Sequence, residues 1–242
     1  MPPILELDGL KKSFGAIVVA DDLSFNLSQG EALGIIGPNG AGKTTTFNLI
    51  TGALGPNAGK IRFQGSDITS HSAARRSRSG IARSFQVPQP FSGMTVFENA
   101  MVAATQAAGL SGHKAEQFAL NILDKTELLS KANQTAGSLT LLDRKRLELT
   151  RALCTKPKLL LLDEIAGGLT ESECTSLVDT IKDVHASGVS IIWIEHVVHA
   201  LLAVVDRLIV IDFGRKIAEG NPSTIMKSPE VEEIYLGIAV DA

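Results

Sequence analysis

Gly37-Pro38-Asn39-Gly40-Ala41-Gly42-Lys43-Thr44 is the stretch whose reading decides the fold. It matches G-x-x-x-x-G-K-[ST] and stands between an apolar strand pattern over residues 32–36 and a helical pattern over 42–51. Strand, loop and helix in that order are what phosphate binding needs. Glycines let the loop wrap a phosphate closely, because no Cβ blocks the approach. Backbone N–H groups and the helix N-terminus supply partial positive charge. Lys43 adds a full charge that reaches β- and γ-phosphates, and the Thr44 hydroxyl is placed to ligate Mg2+. The ligand is therefore expected to carry β- and γ-phosphates.

Working outward, Leu159-Leu160-Leu161-Leu162-Asp163-Glu164 is an apolar strand ending in two acids. A buried strand that finishes in carboxylates needs partners for those charges. Beside a phosphate loop, Asp163 is expected to hold Mg2+ and Glu164 to act as general base on the attacking water. Two further residues fall at strand ends: Gln86 ends a candidate strand over 81–86, and His196 follows one over 189–194. Ligands of open α/β sheets bind beyond the carboxyl ends of strands, so Gln86 and His196 join Gly37 and Asp163 as site candidates. His196 and His199 are three apart, but no further ligands stand at a spacing that would make a metal site.

Further strand patterns cover residues 4–7, 23–27, 60–63 and 208–211, and helical patterns cover 171–186 and 197–203. Several of the strands are continuous apolar runs, the pattern of strands buried on both faces. The alternation predicts an α/β core with parallel strands. It breaks between Thr95 and Cys154, where Phe97, Ala100, Met101 and Ala104, then Phe118, Ile122, Leu123 and Leu128 or Leu129, recur at helical spacing. The expected organisation is a nucleotide-binding α/β core over 1–90 and 155–242, with a helical subdomain over 91–154 inserted through the Pro-rich turn at 87–93.

The 242 residues suffice for one large domain, with 44% hydrophobic residues to build its core. The formal net charge of −3 gives no footprint for nucleic acid. Cys154 and Cys174 form no CxxC pair and no disulfide framework. Residues 1–12 carry Glu6 and Asp8 and do not read as a signal peptide. The apolar runs are far shorter than the roughly 20 residues a membrane-spanning helix needs. Service to a membrane would go through a partner.

Taken together, these residues resemble the ABC ATPase family. Gly37 through Thr44, with Thr45 after it, is similar to its phosphate loop; Gln86 to its Q-loop residue; 159–164 to its acidic strand; His196 to its switch histidine. Phe14 stands where the family has an aromatic residue that stacks on adenine. The resemblance implies a P-loop NTPase core of the ABC type with an inserted helical subdomain, Mg2+ held by Thr44, Gln86 and Asp163, and a head-to-tail dimer of ATPase subunits, identical or related. It also implies membrane-embedded permease subunits as partners, with this chain peripheral at the cytoplasmic face of the inner (plasma) membrane, and indirectly a solute-binding protein. The strings Arg144-Lys145-Arg146-Leu147-Glu148-Leu149-Thr150-Arg151-Ala152-Leu153 and Ser228-Pro229-Glu230-Val231-Glu232-Glu233-Ile234-Tyr235-Leu236-Gly237 resemble the branched-chain (hydrophobic) amino acid uptake group.

Two departures stand out. The family's LSGGQ signature, which meets the γ-phosphate held by the opposite subunit, is here Leu139-Thr140-Leu141-Leu142-Asp143. The two leucines are expected to restrict a backbone that glycine leaves open. Gly168-Leu169-Thr170 stands where the family has G/A-L-D, and Ile165 where a proline commonly follows the glutamate. A soluble ABC ATPase acting on an assembly scaffold is the other functional reading. A DNA-repair member would need a long coiled-coil insertion and a ribosome-associated one usually two ATPase domains, and the sequence shows neither.

Overall fold

The structure, a computed structural model, describes residues 2–229 and residue 231. Most of the C-terminal string read at 228–237 falls outside them.

The phosphate-loop strand β3 (Ala32–Ile36) lies inside a six-stranded sheet. It pairs in parallel with β8 (Ser190–Ile194) and β9 (Arg207–Asp212). Beyond β8 come β7 (Leu159–Asp163) and β6 (Ile81–Arg83), also parallel. On the other edge, β10 (Arg215–Gly220) pairs antiparallel with β9. The continuous apolar runs follow from burial on both faces. Leu33, Ile35, Leu161, Ile192, Ile194 and Ile209 point into one core cluster. Ile36, Leu160, Leu162, Trp193, Leu208 and Val210, one residue out of phase, point into another.

The first core is closed by a second sheet, which adds antiparallel strands to the expected parallel core. β1 (Leu5–Phe14), β2 (Ile17–Leu27), β4 (Ala58–Phe63) and β5 (Ser66–Asp67) form an antiparallel sheet in the order β2-β1-β4-β5. β1 and β2 are a hairpin turning at Gly15 and Ala16, which no crossover interrupts. Both strands are longer than their apolar patterns, because pairing carries them past several bulges into polar sequence. Between the sheets packs α1 (Lys43–Thr51), through Phe47, Leu49 and Ile50. Arg76 of α2 (Ala73–Ser79), buried, donates to the carbonyls of Leu49 and Ile50 and so caps the end of α1.

The second core is covered by α6 (Glu171–Ala186), α7 (Val198–Leu202) and three helices that follow β6: α3 (Val96–Gln106), α4 (Gly112–Lys125) and α5 (Leu141–Leu153). Ala100, Ala104, Ile122, Leu123 and Leu128 are buried there, and Leu129 is exposed. A short α8 (Pro222–Ile225) follows β10. The run over 81–86 leaves the sheet at Arg83, so Gln86 lies three residues beyond its strand rather than on its last position.

Candidate functional site

The carboxyl ends of β3, β7 and β8 converge. After β3, Gly37 has φ 154°, and a Cβ there would stand 1.9 Å from the Ile211 carbonyl oxygen. Gly42, at the start of α1, has φ 100° with Val19 oxygen 2.3 Å from where its Cβ would be. Only glycine fits either place. Lys43, buried at the start of α1, donates from Nζ to the carbonyls of Gly37 (2.6 Å) and Pro38 (2.8 Å), which centres its ammonium in the loop. Burial lowers its pKa, and the negative fields of Glu164 and Asp163 act in the opposite direction. Thr44 is exposed and Thr45 half-buried on the same turn. Pro38, Asn39, Gly40 and Ala41 line a concavity closed by Asp212 and Phe213.

Asp163, at the end of β7, is buried, with Oδ2 accepting from Arg83 Nη2 at 2.5 Å. Its Oδ1 is buried with no hydrogen-bond partner among the described residues. Such an oxygen is costly unless a ligand completes it. Arg83 also donates to Asn48 Oδ1 at 2.6 Å and lies against the rings of Phe47 and Phe85.

Glu164 follows in the left-handed region, at φ 46°. A non-glycine residue held there costs on the order of 1–3 kcal/mol and persists only where surrounding contacts impose it. The contacts are present: Glu164 N donates to the Ile194 carbonyl at 2.8 Å, and its own carbonyl accepts from Lys145 Nζ at 3.2 Å. The side chain is thereby presented between two predicted residues. His196 Nε2 donates to Oε1 at 3.0 Å, and Gln86 Nε2 donates to Oε2.

The structure thus brings Gln86, Asp163, Glu164 and His196 together with the phosphate loop. Phe14 stands apart, on the tip of the β1–β2 hairpin, 49% exposed and with Lys12 Nζ 5.2 Å from its ring centre. Val19, farther along β2, touches Gly42, so the hairpin is anchored beside the loop.

Leu139-Thr140-Leu141-Leu142-Asp143 forms the entry to α5, with Thr140 as N-cap at φ −62°. Leu141 and Leu142 lie in the first helical turn, and neither has positive φ. The expected restriction by leucine does not apply: a helix start needs no glycine angles. Thr170 caps α6 through a capping box with Glu173, so at this helix start it does the capping job open to an aspartate.

Sequence reasoning missed three residues. Lys145 of α5, only 3% exposed, donates to the backbone carbonyls of Gln86 (3.3 Å) and Glu164 (3.2 Å). Burial lowers its pKa, against the fields of Glu195 and Glu164. Glu195, 1% exposed, accepts from the backbone N–H groups of Ala166, His196 and Val197 and so ties the base loop to the histidine loop. Arg83 is the third. An acid directly after an apolar strand was the signal that found Asp163, and it stood at Glu195 too. Arg83 broke an apolar strand; Lys145 had no sequence signal.

With this geometry in hand, comparison with known proteins is specific. The family model described as ABC transporter matches residues 20–167. The chain is 34% identical to the high-affinity branched-chain amino acid transport ATP-binding protein BraF of Pseudomonas aeruginosa, covering 98% of this chain and 99% of that protein. It is 32% identical to the lipopolysaccharide export system ATP-binding protein LptB of Acidithiobacillus ferridurans, covering 98% of each. Among solved structures, the ADP conformation of an ATP-binding cassette of an ABC transporter superposes with a TM-score of 0.88 at 31% identity, covering 98% of this chain and 100% of that one.

Proposed function

This chain belongs to the ABC transporter family and is an ATPase subunit with the P-loop fold of that family, and we propose that it powers uptake of branched-chain amino acids or related small amphipathic solutes. The observation that carries the chemistry is Glu164, held by Gln86 and His196 beside an unpartnered Asp163 oxygen and the Lys43 loop.

Asp163 Oδ1, the exposed Thr44 hydroxyl and the Gln86 amide oxygen, whose nitrogen is turned to Glu164, form an all-oxygen donor set that fits Mg2+. The ion would supply positive charge against the β- and γ-phosphates. The chain's own residues do the rest. Loop N–H groups and Lys43 hold the phosphates of ATP. Glu164 takes a proton from a water whose oxygen attacks the γ-phosphorus, and the bond to the β-bridging oxygen breaks with its electron pair leaving on ADP. His196, donating to Glu164, fixes the carboxylate's direction.

The proposed division is a core over 1–90 and 155–242 and a helical subdomain over 91–154. No helix among the described residues is long and apolar enough to cross a membrane. The permease contact is proposed at the subdomain's entrance, where Phe85, Val87, Phe91 and Met94 are exposed beside a cleft of about 320 Å3. Asn99, fully buried, shapes that turn through both bonds to Phe91. The subunit would sit at the cytoplasmic face, paired head to tail with a second ATPase. In that dimer the Thr140 turn faces the γ-phosphate bound by the opposite subunit. Uptake is tested by reconstituting the complex in proteoliposomes: ATP turnover should rise when the solute-binding protein carries leucine, isoleucine or valine. No response to any aliphatic amino acid would overturn the substrate assignment.

Two predictions concern single residues. Adenine stacking on Phe14 is worth about 1–3 kcal/mol, so Phe14→Ala should weaken ATP binding roughly five- to hundredfold by calorimetry. Because Phe14 is half exposed, the thermal midpoint of the nucleotide-free protein should barely move; a large drop with normal affinity would refute the stacking role. Lys145→Met removes a buried ammonium from two backbone carbonyls, and since a buried acceptor left without its donor costs about 1–3 kcal/mol, the thermal midpoint is followed alongside the rate. The substitution frees the backbones of Gln86 and Glu164, so kcat should fall roughly 10- to 100-fold with KM for ATP within about twofold. Lys145→Arg should recover part of the rate, and an unchanged kcat in Lys145→Met would remove this role.

A further inference from the structure

We propose that the signature turn of this chain is closed by its own Asp143. Asp143 is 3% exposed, and its Oδ2 accepts from Thr140 Oγ1 at 2.8 Å and from Lys131 Nζ at 2.5 Å. A threonine hydroxyl has one proton to give, and an ionised carboxylate can only accept. The proton that a phosphate oxygen would take from Thr140 is therefore already committed. The same carboxylate lies in the first turn of α5 and offsets the positive end of that helix. Leu141, 45% exposed, extends to the Gly168 loop, its Cδ2 3.3 Å from where a Gly168 Cβ would stand. The closure is one of charge and bulk, since the backbone of the turn is an ordinary helix start with no positive φ.

This inference rests on the reading above, in which the turn faces the γ-phosphate of the opposite subunit. It predicts unequal composite sites. A phosphate facing the Thr140 turn gains no hydroxyl donor and meets a carboxylate. This chain's own phosphate loop, with Asp163, Glu164, Gln86 and His196, is complete and turns over when the opposite subunit brings a signature turn with a free hydroxyl. Two copies of this chain have two closed turns.

The test is a double-mutant cycle in ATP turnover on the full-length chain. Asp143→Gln frees Thr140 and should raise turnover of the isolated chain about tenfold, a fraction of the ~10² that one donor to developing charge commonly supplies. Thr140→Val keeps the shape of the side chain and has no proton to give, at the cost of the helix cap. Its cost should be about tenfold larger in the Asp143→Gln background than in the native chain, which cancels the gain. Asp143→Ala should behave as Asp143→Gln does, and thermal midpoints show that each variant is folded. Thr140→Val costing as much in the native chain as in the freed one, or no gain from either Asp143 variant, overturns the proposal. MgATP calorimetry on the native chain separates the two levels. Without ATP binding the ATPase reading itself fails; with binding and no cycle, only the closed turn fails.

Discussion

Glu164→Gln should bind MgATP as tightly as the native chain while releasing phosphate about 10²-fold more slowly or worse. The argument is geometric. The carboxylate stands between a histidine donor and an amide donor, on a residue whose left-handed backbone is held by the Ile194 carbonyl and Lys145. Glutamine fills the same volume and still accepts from one of the two donors. His196 can meet the new amide group by changing tautomer, so the local structure survives. What is lost is the atom that receives the water's proton. Binding rests on other groups, the loop N–H donors and Lys43, which the substitution leaves alone. Calorimetry and a phosphate-release assay on the same preparation read the two effects separately. With hydrolysis blocked, ATP should accumulate in a closed dimer wherever the signature turns allow one to form. Hydrolysis at the native rate would remove Glu164 from the role of base.

The site was legible where chemistry restricts residue type. Gly37, Lys43, Asp163, Glu164 and His196 stand where the proposed phosphate binding, metal binding and proton transfer would need them, and strand patterns placed them at the carboxyl ends of one sheet's strands. Strand limits were less legible. The strand expected over 81–86 ends early, because the chain leaves the sheet once Arg83 has reached Asp163, and this turn carries Gln86 to Glu164. β10 is a polar edge strand, Arg-Lys-Ile-Ala-Glu-Gly, with little apolar alternation to announce it. The antiparallel sheet was hidden because period-2 patterns say which face is buried but not which neighbour pairs. Lys145 and Asp143 were illegible for another reason: their meaning lies in contacts to Gln86, Glu164 and Lys131, far apart in sequence or around a turn.

Lys43→Ala should abolish measurable MgATP binding. Its ammonium sits at the centre of the loop on the Gly37 and Pro38 carbonyls, within a short swing of any phosphate the loop holds. Hydrogen bonds to charged groups are worth about 1.5–3 kcal/mol each. Losing two to the β- and γ-phosphates therefore weakens affinity by roughly 10²- to 10⁴-fold, which takes a micromolar site out of the calorimeter's range. The substitution also removes the brace across the loop, so the thermal midpoint must be followed to show that the fold persists. A signature of the charge itself comes from pH. Burial lowers the Lys43 pKa below the usual lysine value, whereas bound phosphates favour the protonated form and raise it again. Between the free and bound values, binding must take up a proton. Native affinity should therefore fall as pH rises through the lowered free-form pKa, and any residual affinity of Lys43→Ala should lack that fall. Unchanged affinity in the variant would show that no triphosphate rests on Gly37-Pro38-Asn39-Gly40-Ala41-Gly42-Lys43-Thr44.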